Sequence, residues 1–225
     1  MQNNTLEVHD LSLRDPDAPT EPGQSASCAQ IADAVAGPGW CVTPGFLTAT
    51  ELAAIRAQAG ELEAAGGFKS AGVGRGQGLS IRPAVRSDRV CWLDPASRDG
   101  AIGAYLARLD ALRQGLNRDL CLGLFSFEGH LAIYPPGAYY GRHLDQFRGV
   151  ELRTLTCILY LNPDWQPADD GILRIYTDPE RPGHCDEVAP IGGTLVTFLS
   201  ARFEHEVRPA ARERLSLTGW FKRRG

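Results

Sequence analysis

The chain has 225 residues, of which 43% are hydrophobic and 22% are charged. That length supports one sizeable core, and the composition is typical of a folded globular protein rather than of a disordered chain. The formal net charge of −4 gives the chain no general attraction to phosphate backbones, so we expect no nucleic-acid partner.

Nothing in the sequence predicts a membrane span or a secretion signal. No run of about 18 apolar residues occurs, and the polar first residues lack a basic start followed by an apolar core. The six cysteines form no Cys-x-x-Cys pair, and most of them lie in apolar runs. We interpret them as small buried side chains in a reducing compartment, which makes the cytoplasm the default location, without a membrane partner.

The first half of the chain is predicted to be mainly helical. Residues 1–25 are polar and contain three prolines, a composition typical of a loose leader. Capping signals and apolar periodicity predict helices over 28–36, 48–65 and 99–117, with a short strand and turn over 40–46. Residues 26–120 are thus expected to form a helical support for the remainder of the chain.

Residues 70–80 are rich in glycine, with alternating Gly72, Gly74 and Gly76. A nucleotide-binding loop of this kind needs a strand before it and a helix after it. Here a predicted helix precedes the segment and no helix follows it. We therefore predict a flexible loop, which could act as a lid if it borders an active site.

Beyond residue 120, short β-rich runs alternate with Gly, Pro and Asp turns. Seven runs are predicted as strands: 122–127, 130–134, 154–161, 171–176, 194–199, 203–208 and 214–222. Strands of this number and spacing are typical of a sandwich or a jelly roll. The predicted organisation is one domain over 26–225, with the strand-rich half over 121–222.

His143 and Asp145 are separated by a single residue. Residues two apart in a strand point to the same face, so these side chains can hold one ion together. His205 lies sixty residues after Asp145, in a separate β run. Two histidines and one carboxylate leave coordination positions open, as in the non-haem Fe(II) oxygenases. The sequence therefore predicts an iron site.

Arg214 follows His205 by nine residues, beyond a turn. Strand alternation places four side chains of this last run on one face: Arg214, Ser216, Thr218 and Trp220. An unpaired buried arginine is costly unless an anionic ligand occupies the pocket. Because a guanidinium pairs with a carboxylate through two parallel hydrogen bonds, we predict a dicarboxylic 2-oxoacid. It would chelate the iron at one end and meet Arg214 at the other.

Competing assignments use the same residue types. A second His-x-Asp pair, His184 and Asp186, lies among prolines and glycines and is interpreted as a loop. Only nineteen residues separate Asp186 from His205, too few for the intervening strands of a jelly roll. This context favours the earlier pair as the iron ligands. Arg214 by itself could be a surface arginine on an edge strand. The prediction therefore rests on the combined spacing of the first His-x-Asp pair, His205 and Arg214.

The remaining histidines and two tryptophans are given structural interpretations. His130 in an apolar run and His9 in the leader are interpreted as core or surface histidines rather than ligands. Trp92 and Trp165 are interpreted as packing or surface residues.

The motifs occur in an order that is similar to a known family. The strongest segments are RHLD (142–145), TCILYLNPDW (156–165), DGILRIY (170–176), HEVRPA (205–210) and RLSLTGWF (214–221). Over most of 28–222 the chain resembles the prolyl hydroxylases of the oxygen-sensing (hypoxia-inducible-factor) type and their bacterial relatives. The resemblance implies an α+β fold, with a double-stranded β-helix (jelly roll) core and supporting N-terminal helices.

The resemblance also implies roles for single residues. The iron ligands, and hence the catalytic centre, would be His143, Asp145 and His205. The co-substrate 2-oxoglutarate would be bound by Arg214, Tyr160, Thr218, Tyr134 and Trp220. Within this set Arg214 and Tyr160 would hold the distal carboxylate, with Thr218 beside it. Arg153 would match an arginine near the substrate entrance.

The implied activity is 4-hydroxylation of a prolyl residue in a protein or peptide substrate, with consumption of O₂ and release of succinate and CO₂. Fe(II), 2-oxoglutarate and O₂ are the implied cofactor and co-substrates, with ascorbate as an optional addition. Two alternatives stay open at this point: the same chemistry on a small molecule or another side chain, and a non-catalytic jelly-roll module that binds metal.

Overall fold

A computed structural model of the protein describes residues 28–74, 80–146, 152–178, 180–181 and 183–225. The predicted leader over 1–25 and the centre of the glycine-rich segment, 75–79, lie outside the described residues. Among the helices of the described part, none has both the length and the apolar character needed to cross a bilayer.

The described residues before Ser126 form three helices, close to their predicted positions: α1 (Cys28–Ala36), α2 (Ala49–Ala64) and α3 (Gly100–Leu120). The Thr48 hydroxyl accepts the backbone N–H of Glu51 at 3.2 Å, and the Glu51 carboxylate accepts that of Thr48 at 2.8 Å. This reciprocal pair satisfies two N–H groups that the first turn of α2 cannot bond internally. α3 continues past the predicted end and stops at Cys121, which has a left-handed φ of 53°.

The described part of the chain forms eleven strands. They are β1 (Trp40–Thr43), β2 (Lys69–Ser70), β3 (Arg89–Trp92), β4 (Ser126–Tyr134), β5 (Tyr140–His143), β6 (Arg153–Tyr160), β7 (Leu173–Ile175), β8 (Asp186–Val188), β9 (Leu195–Leu199), β10 (His205–Val207) and β11 (Arg214–Lys222). The larger sheet has the order β1-β9-β6-β11-β4-β3-β2 and the smaller one β5-β10-β7-β8. All neighbouring pairs are antiparallel.

In place of the two predicted strands, 122–127 and 130–134, the structure has one continuous strand, β4 (Ser126–Tyr134), and residues 122–125 lie outside it. The prediction separated them at Gly129, which the structure places inside the strand opposite Gly219 of β11. A Cβ atom at Gly219 would lie 2.2 Å from Cζ of Phe127, and one at Gly129 would lie 2.8 Å from the same ring. The two glycines therefore leave space for the Phe127 ring, and Gly129 does not mark a turn.

Alternation along the strands of the larger sheet separates two hydrophobic cores. Leu131 and Leu217 belong to the core that packs against the helices, and both are fully buried. Ala132 and Tyr134 face the other way and pack with Leu173 of the smaller sheet. The fold thus has a helix layer, a large sheet and a small sheet, and the candidate site lies between the two sheets.

Candidate active site

The smaller sheet brings the two predicted histidines together. His143 ends β5 and lies directly opposite His205, the first residue of β10. Asp145 lies in a bend beyond β5, so the prediction of one strand through both ligands is wrong in this detail. Leu144, between the two ligands, is 42% exposed. The Asp145 carboxylate still faces both imidazoles.

The three potential ligand groups are within reach of a single ion. Nε2 of His143 and Nε2 of His205 each lie 3.5 Å from an oxygen of Asp145. One ligand atom from each residue lies within 4.8 Å of the others, and among the described residues this is the group that could hold a metal. Metal–ligand bonds of about 2 Å place neighbouring ligand atoms about 3 Å apart, so the cluster needs only a small contraction.

Backbone carbonyls orient both imidazoles. Nδ1 of His143 lies 2.7 Å from the carbonyl oxygen of Gly141, and Nδ1 of His205 lies 3.2 Å from that of Phe203. Because a carbonyl oxygen only accepts, each Nδ1 carries the hydrogen and each Nε2 keeps a lone pair for the ion.

The protonation states around Asp145 suit a cation. Burial by itself would raise the pKa of Asp145, but the imidazoles of His205 and His143 more than offset this and hold it below its usual range. Burial lowers the pKa of His205 to about 4, so that ring is neutral near pH 7. The hydroxyl of Thr156 donates to the Asp145 carboxylate at 2.9 Å and lies 2.9 Å from the Ser200 hydroxyl. A charged carboxylate and neutral imidazoles are the forms that bind metal.

A cavity of about 520 Å³ extends from this cluster between the sheets. Its lining contains all but one of the residues predicted for the site: Tyr134, His143, Asp145, Arg153, His205, Arg214, Thr218 and Trp220. The exception, Tyr160, is fully buried directly behind the lining. As alternation predicted, Ser216 also faces the cavity, while the leucines between these residues face the helices.

The deep end of the cavity contains unpaired donors. Arg214 is 1% exposed, and its Nε donates to the Gly171 carbonyl at 3.0 Å. Among the described residues, neither Nη2 of Arg214 nor the buried hydroxyl of Tyr160 has a hydrogen-bond partner. Cζ of Arg214 lies 5.1 Å from the ring centres of both Tyr160 and Tyr134. Burial raises the pKa of Tyr160 to about 12 against the influence of Arg214, so its hydroxyl keeps its proton.

Such a pair of buried donors is expensive unless an acceptor binds there. A carboxylate matches both groups, because it can accept from a guanidinium and a phenol at once. The cavity therefore has the two ends that a dicarboxylic 2-oxoacid requires: a cluster of metal ligands and a separate anion site.

Arg153 forms part of the cavity wall beside the metal cluster. Its guanidinium carbon lies 3.4 Å from the ring centre of Trp220, and its Nε lies 2.9 Å from Glu128. Its Nη1 also donates to the backbone carbonyl of Asp145 at 3.3 Å. The arginine is therefore held in place over an aromatic wall, next to Asp145.

Sequence reasoning missed that His130 lines the cavity. Its ring lies 4.8 Å from the ring of Trp92 and 5.5 Å from that of Trp220. Burial lowers the pKa of His130 to about 3, so it is a neutral wall residue outside the metal cluster. The signal was present in the alternation of β4, where His130, Ala132 and Tyr134 share a face.

Comparison with known proteins agrees with this geometry. Residues 129–222 match the 2OG-Fe(II) oxygenase superfamily. Prolyl hydroxylase EGLN3 of Homo sapiens is 31% identical over 193 residues, which are 81% of this chain and 78% of that protein. The chain belongs to this family of 2OG-Fe(II) oxygenases. The predicted family and fold class are thereby confirmed.

Solved structures give the same family and fold. A prolyl-4-hydroxylase from Pseudomonas putida is 43% identical, with a TM-score of 0.79 over 88% of this oxygenase and 100% of that chain. A Trichoplax adhaerens prolyl hydroxylase, in complex with a hypoxia inducible factor peptide fragment, is 26% identical, with a TM-score of 0.76 over 87% of this oxygenase and 88% of that chain. The chain spans only 33% to 41% of the length of several longer curated relatives.

Proposed function

We propose that this oxygenase is an Fe(II)- and 2-oxoglutarate-dependent prolyl hydroxylase that acts on a protein or peptide. The observation that carries the proposal is one cavity that is lined both by a His-Asp-His cluster and by buried Arg214, with Tyr160 next to Arg214; among the described residues, Nη2 of Arg214 and the Tyr160 hydroxyl are unpaired. A module that only binds metal has no use for a costly buried anion site.

Each end of the cavity has a defined task in this proposal. His143, Asp145 and His205 would hold Fe(II). Arg214 and Tyr160 bind the distal carboxylate of 2-oxoglutarate. When bound, Fe(II) and 2-oxoglutarate supply the oxidising power that places one oxygen atom of O₂ on an unactivated C–H bond, with succinate and CO₂ as co-products.

The side walls of the cavity position the co-substrate and exclude water. Tyr134, whose ring centre lies 5.1 Å from Cζ of Arg214, and Thr218, four residues further along β11, line the same cavity and would contact the bound co-substrate in this proposal. Trp220, 5% exposed, closes the wall beside Asp145, with Arg153 stacked on it. A dry site strengthens the electrostatic grip of the arginine on the carboxylate.

A protein substrate is favoured by the mouth of the cavity and by the relatives. Trp92 and Leu144 border the cavity with side chains 57% and 42% exposed. Apolar side chains exposed beside a deep site are typical of interaction surfaces. The relatives include a prolyl hydroxylase in complex with a peptide fragment. By analogy, we propose a prolyl residue within a polypeptide as the target.

The proposal also keeps one catalytic domain over 26–225 and a cytoplasmic location. The location rests on the sequence, in which the six cysteines form no Cys-x-x-Cys pair and most lie in apolar runs. Ascorbate remains an optional addition to the assay.

A product screen tests the substrate. The protein is incubated with Fe(II), 2-oxoglutarate and O₂ together with proline-containing peptides, the matched peptides with alanine at that position, or free proline. We expect succinate formation coupled to the gain of one oxygen atom on the prolyl peptide alone. Oxygen insertion into free proline or into the alanine peptides would favour the alternative substrates. A failure of the wild type to bind 2-oxoglutarate would favour the metal-binding module.

A further inference from the structure

Tyr140 and His143 lie at the two ends of β5 and both line the cavity. In a regular strand, residues three apart point to opposite faces. The pairing with β10 explains the exception. His143 is opposite His205, and Tyr140 is opposite Val207. The three-residue step from Tyr140 to His143 in β5 therefore matches a two-residue step in β10. This mismatch is a β-bulge in β5, and it turns the Tyr140 side chain to the face that His143 occupies.

The bulge stacks the Tyr140 ring on the His143 imidazole. The ring centres are 3.6 Å apart, and the ring planes differ by 13°. Because the imidazole covers one face of the phenol ring, the guanidinium of Arg86, 4.2 Å from the same ring centre, must cover the other face. Three groups thus form a column that ends on a proposed iron ligand.

Asp88 holds the outer end of this column. Nε and Nη2 of Arg86 donate to the two oxygens of its carboxylate at 2.7 and 2.5 Å. The side chains of Arg86 and Asp88 are 11% and 0% exposed. Burial opposes the charge on Arg86, but Asp88 more than offsets this and raises the pKa of the guanidinium above its usual value. A two-pronged pair of this kind fixes the plane of the guanidinium.

Backbone hydrogen bonds also hold residues 85–87, which include Arg86, against β5 and the residue before it. Gly141 donates its N–H to the Val85 carbonyl at 2.8 Å, and Ser87 donates to the Tyr139 carbonyl at 3.0 Å. The carbonyl of Gly141 is the group that accepts the Nδ1–H of His143 at 2.7 Å. Residues 85–87 therefore contact both Gly141, whose carbonyl binds the imidazole of His143, and the Tyr140 ring, which stacks on that imidazole.

His143 needs such support more than His205 does. The side chain of His143 is 16% exposed, whereas that of His205 is 4% exposed and contacts the Phe198 ring at 4.7 Å. The outer torsion of a histidine side chain has a broad preference, so packing on the ring faces must fix the plane of the imidazole. For His143, that packing comes from Tyr140.

We propose that Arg86 is a positioning residue for the metal site. Clamped by Asp88, it holds Tyr140 against His143 and so fixes the plane of the imidazole for metal binding. The inference rests on the proposed function only in taking His143, Asp145 and His205 as the metal site.

Binding of Co(II) tests this role without any turnover, since the visible spectrum of Co(II) reports its ligands. Arg86→Gln combined with Asp88→Asn removes both charges together and leaves no unpaired buried carboxylate. We expect the Kd for Co(II) to rise about tenfold, the lower end of the effect of groups that orient metal ligands. Tyr140→Leu leaves the arginine–aspartate pair intact and should weaken binding similarly, whereas Tyr140→Phe keeps the ring and should bind like the wild type.

Arg142 offers a matched control. It precedes His143 in β5, donates to Glu204 at 2.7 Å and stacks on Tyr176 at 3.6 Å, but it is exposed at the surface. Arg142→Gln therefore removes the same kinds of contact next to the ligand, and we expect its Kd for Co(II) to match the wild type.

Equal Kd values for Co(II) in the wild type and the Arg86/Asp88 variant would overturn the inference. A loss of Co(II) affinity in Arg142→Gln as large as that in the Arg86/Asp88 variant would overturn it too. If the double variant does not fold, Tyr140→Leu decides, and wild-type affinity in that variant would overturn the inference. A folded wild type that binds no Co(II) would instead contradict the metal site and with it the proposed function.

Discussion

Replacing Arg214 with methionine tests the carboxylate anchor, because methionine keeps much of the side-chain volume and removes the charge. Nε of Arg214 is engaged by the Gly171 carbonyl, which leaves the two terminal nitrogens for a ligand. Hydrogen bonds to charged groups contribute about 1.5–3 kcal/mol each. A loss of about 3–4 kcal/mol corresponds to an affinity for 2-oxoglutarate that is weaker by about 10²–10³-fold.

The stability of the ligand-free protein should change much less. A buried guanidinium without an acidic partner costs free energy, and methionine removes that cost. The same change leaves the Gly171 carbonyl unpaired, at a cost of about 1–3 kcal/mol. Because the two effects oppose each other, we expect the unfolding temperature of Arg214→Met to lie within about 5 °C of the wild type.

Calorimetric titration of 2-oxoglutarate into Mn(II)-loaded protein measures the affinity without turnover. Tyr160→Phe is the graded control, since it removes one neutral donor, worth about 0.5–1.5 kcal/mol, and should weaken binding about tenfold or less. If folded Arg214→Met bound 2-oxoglutarate within about threefold of the wild type, the role assigned to this arginine would be refuted.

Three further predictions concern the metal cluster and the fold. Asp145→Ala should abolish Co(II) binding and succinate production, while Leu144→Ala, one residue away and exposed, should retain Co(II) binding; turnover in Asp145→Ala would contradict the ligand assignment. Thr156→Val removes the hydroxyl that donates to Asp145 and should weaken Co(II) binding about tenfold, as read by spectroscopic titration; an unchanged Kd would leave that hydrogen bond without a role at the metal. Thr48→Ala should lower the free energy of unfolding, measured in urea, by about 1 kcal/mol because the helix cap is lost. Thr50→Ala, at an exposed position within α2, should change it by less than about 0.5 kcal/mol. Equal effects of the two substitutions would argue against the cap.

The helices could be predicted because their signals are local. α2 begins at its predicted cap, and glycines follow the ends of α1 and α2 within two residues. Among the short strands, β8 (DEV) was not predicted, and β5 (YGRH) was expected only through the His-x-Asp pair, in a strand that would have continued to Asp145. Their residues have weak strand preferences, and their strand geometry comes from pairing with β10 and β7. The continuous β4 was missed because only the packing of Phe127 reveals why glycine is needed in mid-strand.

The part of the candidate site that lies on one face of a strand could be predicted from strand alternation. Alternation along β11 correctly placed Arg214 and Thr218 in the cavity, and the family resemblance suggested Tyr160 beside them. Arg86 and Tyr140 gave no signal for two physical reasons. They are fifty-four residues apart in the chain, and the bulge that turns Tyr140 onto His143 exists only in the pairing of β5 with β10.

Anaerobic reconstitution with Fe(II) and 2-oxoglutarate tests the central claim most directly, because a visible metal-to-ligand charge-transfer band requires the metal and the chelating 2-oxoacid in one site. The band should develop in the wild type only when both are added, and at the same ligand concentration it should be much weaker in Arg214→Ala. A folded wild-type protein that develops no band would contradict the account and leave a jelly roll that binds, at most, a metal.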